Sequence, residues 1–272
     1  EKTTKLISAV TAWLRSSRRS TYEGGAHFAP GQTLPAGQFN TWRGWPVKPT
    51  LGDWSNFREF IHSVICHGDD AVFNYLLKLL ARWVQLPQLP GHVAIFLRGG
   101  KGVGKSFFAR KIGRLFEPHA IFTGHFREAN FAFFDEAVWN GSHEDANRLK
   151  ALITEKDMML HPKGLTPFRV SNSMHIIVAT NDEFAASASH DERRVCMLSP
   201  SNIRRIDRQY FAGLEEAWNS GEQAAMLYDL LSTALTGFNP ENIPQTDELT
   251  NQKILSLPEG ERVIFELLRD GN

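Results

Sequence analysis

Apolar positions along this chain fall into two kinds of run. From Phe57 to Val84 they keep helical spacing, with Val72, Tyr75, Leu76, Leu79, Leu80 and Trp83 on one stripe. Elsewhere short runs are apolar almost without interruption: Ala94–Leu97, Phe131–Phe134, Met174–Ala179 and Val195–Leu198. Such runs, bounded by glycine or polar residues, predict strands covered on both faces. Helical stretches stand between or after them, at Phe107 to Phe116, Glu144 to Ile153 and Ile206 to Leu235. Strands separated by helices predict an α/β fold around a mainly parallel sheet.

The flanks are patterned differently. Leu6, Ile7, Val10, Trp13 and Leu14 have helical spacing and lead into Arg15, Arg18 and Arg19, which predicts a surface helix with a solvated basic end. Tyr22 to Gly52 is rich in Gly and Pro, yet Phe39, Trp42 and Trp45 interrupt it, so it reads as an ordered, irregular lead-in. Gln85 to Gly91 closes the first helical region, Asn239 to Pro244 breaks the last one, and an amphipathic helix is expected from Glu259 to Leu268. Three parts follow: an N-terminal lead-in over 1–91, a core over 92–205 and a C-terminal helical region over 206–272.

Charge narrows the function classes only slightly. Thirty basic and thirty acidic residues cancel, so any contact with DNA must come from local positions, not from the field of the whole chain. Cys66 and Cys196 are far apart and read as small apolar residues in a reducing compartment. His62, Cys66 and His67 lack a CxxC or a second ligand pair, which argues against zinc. No apolar run is long enough to span a bilayer and no signal peptide is visible, which predicts a cytoplasmic protein with no membrane partner. The chain opens on Glu1 instead of Met, which suggests a fragment of something longer.

The chemistry concentrates after the first apolar run. Gly99, Gly100, Lys101, Gly102, Val103, Gly104, Lys105 and Ser106 form GxxxxGK[ST] between a predicted strand and a predicted helix, the arrangement of a P-loop. Glycines let consecutive N–H groups turn toward phosphate oxygens, and the helix N-terminus adds its positive dipole end. Lys105 is expected to reach the β- and γ-phosphates of ATP, and Ser106 to bind Mg²⁺. A bland glycine-rich turn is the competing reading, and the flanking strand and helix weigh against it.

Further polar positions stand at or near strand ends. Asp135 is expected to hold Mg²⁺ and Glu136 to polarise the attacking water. Thr180-Asn181 suits a side chain that positions that water, although Asn also simply forms turns. Arg193-Arg194 offers guanidinium groups for developing phosphate charge, often supplied by a neighbouring subunit. Lys163-Gly164 falls in an expected hairpin, where a projecting lysine could touch a nucleic-acid backbone. Repeated around a ring, that lysine makes a basic collar on a subunit of zero net charge.

In this order the motifs resemble the superfamily 3 helicases. The similarity is to the helicase-like part of primase–helicase and primase–polymerase replication proteins of phages and integrated mobile elements. It is carried by Gly99 to Ser106, Phe134 to Ala137, Leu149 to Glu155, Lys163-Gly164, Ile176 to Asn181 and Asp191 to Arg194. Phe39 to Val47, Pro244 to Leu249 and Gln252-Lys253 extend it over nearly the whole chain. The stretch from Pro118 to Phe131 is shorter than that family usually has.

The resemblance implies an AAA+-like P-loop NTPase core and a homo-oligomer, a hexameric ring with ATP bound between subunits. Lys105, Ser106, Asp135, Glu136 and Asn181 would come from one subunit and Arg193 or Arg194 from the next. The segment from Leu149 to Lys163 would supply a pore hairpin gripping single-stranded or forked DNA, behind a fused primase or polymerase domain. The implied function is ATP-dependent DNA unwinding or translocation in a bacterial or phage-infected cell. A ring ATPase that remodels or assembles proteins is the alternative. A small-molecule P-loop kinase is a further one, disfavoured by Asn181 and Arg193-Arg194.

Overall fold

Strands with no polar face need cover on both sides, and the computed structural model supplies it. The structure describes residues 8–121, 128–135, 143–160, 166–181, 193–255, 257 and 259–261, with the backbone alone at 143–146 and 160. Helix α1 (Ala9–Leu14) and the two-residue strands β1 (Ala26–His27) and β2 (Phe39–Asn40) come first. Helix α2 (Ser55–Glu59) continues as a π-helical stretch, Phe60–Ile65, before α3 (Asp70–Gln85) and β3 (Ala94–Arg98). Next are α4 (Lys105–Arg114), β4 (Ala120–Ile121), β5 (Phe131–Asp135) and α5 (His143–Thr154). The strands β6 (Asp157–Leu160), β7 (Phe168–Ser171), β8 (His175–Thr180) and β9 (Val195–Leu198) follow, then α6 (Arg208–Ala217), α7 (Gln223–Ser232) and α8 (Asp247–Leu255).

The protein is a mixed α/β fold around a five-stranded sheet in the order β4-β5-β8-β3-β9, every neighbouring pair parallel. Alternate residues of each strand feed different layers. Ile95, Leu97, Phe131, Phe133, Ile177, Ala179, Cys196 and Leu198 join Leu76, Leu79 and Trp83 of α3 and Phe108 and Ile112 of α4 in one core. Ala94, Phe96, Ala132, Ile176, Val178 and Met197 meet Ile153 of α5 and Leu249 of α8 in the other. β6 and β7 form a separate antiparallel pair with Leu160 opposite Phe168, so the expected hairpin frames residues 161–165. No helix among the described residues is long and apolar enough to cross a membrane.

Local chemistry breaks up two of the helical stretches read from the sequence. The stripe from Phe57 to Val84 is not one helix. His67 and Gly68 take positive φ (56° and 78°), and Asp69 restarts the chain by accepting the N–H groups of Ala71 and Val72. The helix expected from Ile206 begins two residues later, because Asp207 caps it through Tyr210 N–H and Ile206 sits at φ 60°. Gly221, at φ 134°, then kinks the path between α6 and α7. Helix α8 had no periodic signal of its own, and the helix expected from Glu259 to Leu268 falls largely outside the described residues.

Two buried histidines tie this framework to neutral pH. His119 Nδ1–H donates to Glu128 O (2.9 Å) while its Nε2 accepts from Arg43 N–H (3.1 Å), which only the neutral ring satisfies. The lead-in is clasped to the sheet this way. His175, at the start of β8, stacks on Trp83 with 5.1 Å between ring centres, also contacts Phe116, and has no hydrogen-bond partner on either ring nitrogen among the described residues. Burial lowers the pKa of both rings, that of His175 the more strongly. Their unfolded forms protonate first, so the stability they carry is complete above about pH 6.5 and is lost as pH falls toward the lowered folded values. Urea unfolding at pH 7.5 and at about pH 5.5 should show the midpoint falling. His175→Phe, which keeps the flat stacked shape, should reduce that fall; an unchanged fall would contradict this assignment.

Candidate functional site

Because the sheet is parallel, its strands deliver their carboxyl ends to one edge, the usual ligand crevice of an open α/β sheet. The register is explicit: Asp135 of β5 and Leu97 of β3 both lie opposite Ala179 of β8, and Arg98 lies opposite Thr180. Three polar positions well separated in sequence, Gly99 onward, Asp135 and Asn181, therefore converge at that edge.

The glycine-rich loop turns from β3 into α4 there. Gly104 is the N-cap of α4, with φ 98° and no side-chain cap, so the helix's first N–H groups are left for another acceptor. Lys105 is 7% exposed and folds back, its Nζ donating to Gly99 O (2.6 Å), Gly100 O (2.8 Å) and Asn181 Oδ1 (2.9 Å). Ser106 Oγ donates to Asp135 Oδ1 at 2.9 Å, and Arg110 of α4 stands 3.6 Å from the other carboxylate oxygen. Val103 is buried and anchors the middle of the loop, whereas Lys101 is exposed at its tip.

A segment just after β9 closes the loop from above. Ile206 N–H donates to Gly102 O (2.9 Å) and Arg205 Nε to Lys101 O (3.3 Å). Beneath the loop Phe60, Phe107 and Phe211 pack together, with Phe60 and Phe211 5.9 Å apart at near right angles. A cavity of about 600 Å³ results, lined by Lys101, Lys105, Ser106, Asp135 and Asn181 together with Phe107, Ile206, Arg208 and Phe211. Its size and mixed lining suit a ligand with a polyanionic end and a flat or apolar end.

The far end of α4 is fixed as well. The Lys111 ammonium is buried between the Phe107 and Trp218 rings, 5.2 and 5.4 Å from their centres, and pairs with Glu215 of α6. Burial lowers the Lys111 pKa, and its hydrogen bond lowers that of Glu215, which also receives Arg114 at 3.0 Å. Helix α4 is thus held at both ends, and its N-terminus keeps one aim.

Gly99 to Ser106, Asp135 and Asn181 come together at this edge. Arg193 and Arg194 do not join them. They precede β9, where Arg194 O accepts from Ala94 N–H at the start of β3 (2.8 Å), so they lie at the opposite end of the sheet within one chain. Arg193 is exposed, 3.6 Å from Glu241. Glu136 and Lys163 lie outside the described residues. Ile206, Arg208 and Phe211 are additions; the boundary drawn after 205 separates them from the loop whose cavity they share. Their signal in the sequence was the arginine-rich run Arg204, Arg205 and Arg208, a short turn beyond the last strand.

A family model described as "Family of unknown function (DUF5906)" matches residues 97–194. No curated protein matches the chain. Among solved structures, the apo structure of the NrS-1 C-terminal region (305–718) is similar at TM-score 0.72 and 16% identity, over 89% of this chain and 63% of that one. An A-form apo structure of the same region matches at TM-score 0.68 and 14% identity, over 89% and 62%. A further A-form structure gives 0.72 and 16%, over 90% and 66%. The chain therefore shares a fold with that region and spans a little under two thirds of its first matches.

The crowding around the loop is testable. A Cβ on Gly104 would meet Phe211 Cζ and Phe60 Cε2 at 3.0 Å, at a φ that L-residues rarely adopt. Gly104→Ala should therefore cost about 1–3 kcal/mol in urea unfolding, whereas Gly213→Ala, with open space around it, should not. Equal stability of the two variants would contradict the packing described.

Proposed function

We propose that this chain is the ATP-driven motor of a DNA helicase or translocase of the superfamily 3 type. One observation carries the reading. The ammonium of Lys105 is held by two loop carbonyls and Asn181 beside the uncapped N-terminus of α4, with Ser106 and Asp135 2.9 Å apart next to it. An anion entering that space meets free helix N–H groups and a preorganised cation.

Each residue then has a task. Lys105 exchanges its carbonyl partners for β- and γ-phosphate oxygens, and Gly99 to Gly104 line their backbone around the phosphates. The hydroxyl of Ser106 and carboxylate of Asp135 form an oxygen donor set suited to a hard cation such as Mg²⁺. Bound Mg²⁺ would supply neutralisation of the charge that develops on the transferring phosphate. Asn181, beside Lys105, orients the attacking water, and Glu136, next in sequence to Asp135, takes its proton. The position of Arg193 and Arg194 at the other end of the sheet supports a trans arrangement, in which one of them completes a neighbour's site in a hexameric ring.

DNA as the cargo rests on the resemblance to superfamily 3 replication proteins of phages and mobile elements and on Lys163, which the sequence puts between two strands. The antiparallel pairing of β6 with β7 supports the reading of that segment as a pore hairpin. The same resemblance supports a cytoplasmic setting and a fused primase or polymerase domain.

Lys105→Ala should abolish measurable ATP turnover. Glu136→Gln should retain ATP binding and lose about 10²–10⁴-fold in kcat; wild-type turnover in Glu136→Gln would refute its role. Lys163→Ala should keep basal ATPase while losing most stimulation by single-stranded DNA, and unchanged stimulation would remove it from DNA contact.

A further inference from the structure

Arg98 is the last residue of β3, and the next residue, Gly99, supplies one of the carbonyls that hold Lys105. On one side the backbone is still paired here: Arg98 lies opposite Thr180, and Gly99 N–H donates to Thr180 O at 3.3 Å. On the other side the ladder has ended, because β9 pairs only with Ala94 to Leu97. The side chain leaves on the face shared with Ala94 and Phe96 and reaches α8. There Arg98 Nη1 donates to Glu248 Oε2 at 2.8 Å.

Glu248 is only 4% exposed, and its other oxygen accepts from Gln252 Nε2 at 2.9 Å, a side chain that is wholly buried. The helix carrying them is pinned to the sheet. Leu249 enters the second core, and the Thr246 hydroxyl donates to Met197 O (2.7 Å) while accepting Leu249 N–H (3.1 Å). An ion pair shielded on its acidic side is a weak source of net stability, because well-packed apolar residues often do as well. Its place at the root of the glycine-rich loop gives it a different use.

We propose that Glu248, acting through Arg98, positions the nucleotide loop. Helix α8 is a buttress that holds the end of β3 through the sheet face where β9 no longer pairs beside it, so nucleotide affinity depends on a helix that does not line the cavity. Both are positioning residues; neither touches the reacting atoms. The proposal rests on the reading of Gly99 to Ser106 as a nucleotide loop.

The test uses the full chain, a fluorescent ATP analogue with Mg²⁺, and three variants: Arg98→Met, Glu248→Met and the two combined. Arg98→Met leaves the buried Glu248 carboxylate without its guanidinium, so it should lower the thermal midpoint, and adding Glu248→Met should recover most of that loss. If the pair positions the loop, the double variant still binds the analogue about tenfold more weakly, with KM for ATP raised more than kcat is lowered. Wild-type affinity in a folded double variant would overturn the proposal. Should that variant not fold, Glu248→Gln, which keeps the shape and removes the charge, should bind about threefold more weakly, and unchanged affinity there overturns it equally. Lys105→Ala is the control: if the wild-type protein binds no better than this variant, the nucleotide reading itself has failed, an outcome distinct from loss of the buttress alone.

Discussion

Five parallel strands must end on the same edge, and this constraint organises everything else. It aligns Asp135 and Leu97 on the same residue of β8, and it places Asn181 immediately beyond that strand, beside the glycine-rich loop. The lysine of the loop then finds its partners without long-range adjustment: two carbonyls from its own turn and the side chain of Asn181. Burial of β3, β5, β8 and β9 between two helical layers keeps the edge rigid enough for those distances to be held.

The same constraint separates the arginines from the site. Arg193 and Arg194 enter β9 at its amino end, so the sheet itself stands between them and Lys105. A role for them in phosphate chemistry is consistent with this fold only across a boundary between copies. The shared fold with the NrS-1 C-terminal region adds the architecture but, at 16% identity, says nothing about activity.

Much of the core was legible because its strands are buried on both faces. β3, β5 and β9 end within a residue of the apolar runs that predict them, and β8 begins at His175, one residue into its run. The glycine loop was legible because glycine, lysine and serine at that spacing have few other uses between a strand and a helix. What escaped depends on distant contacts. Sheet order has no local signal, and the two residues of β4 are too few for any period. Ile206, Arg208 and Phe211 face the cavity only because the chain after β9 doubles back over Gly102. Glu248 and Gln252 resemble surface residues in sequence; burial follows from the seating of Leu249 in the second core and from the guanidinium of Arg98. His119 and His175 are similar cases, polar by type yet fixed as neutral rings by neighbours far along the chain.

A motor of the proposed kind requires the edge cavity to bind a nucleoside triphosphate through the loop and the start of α4. A structure of the protein with a non-hydrolysable ATP analogue and Mg²⁺ tests it most directly. Phosphate oxygens are expected at the N-terminus of α4 and within hydrogen-bond reach of Lys105 Nζ, with the metal on Ser106 and in reach of Asp135. An analogue seated elsewhere, or Lys105 still bound to Gly99, Gly100 and Asn181 with the nucleotide in place, would contradict it.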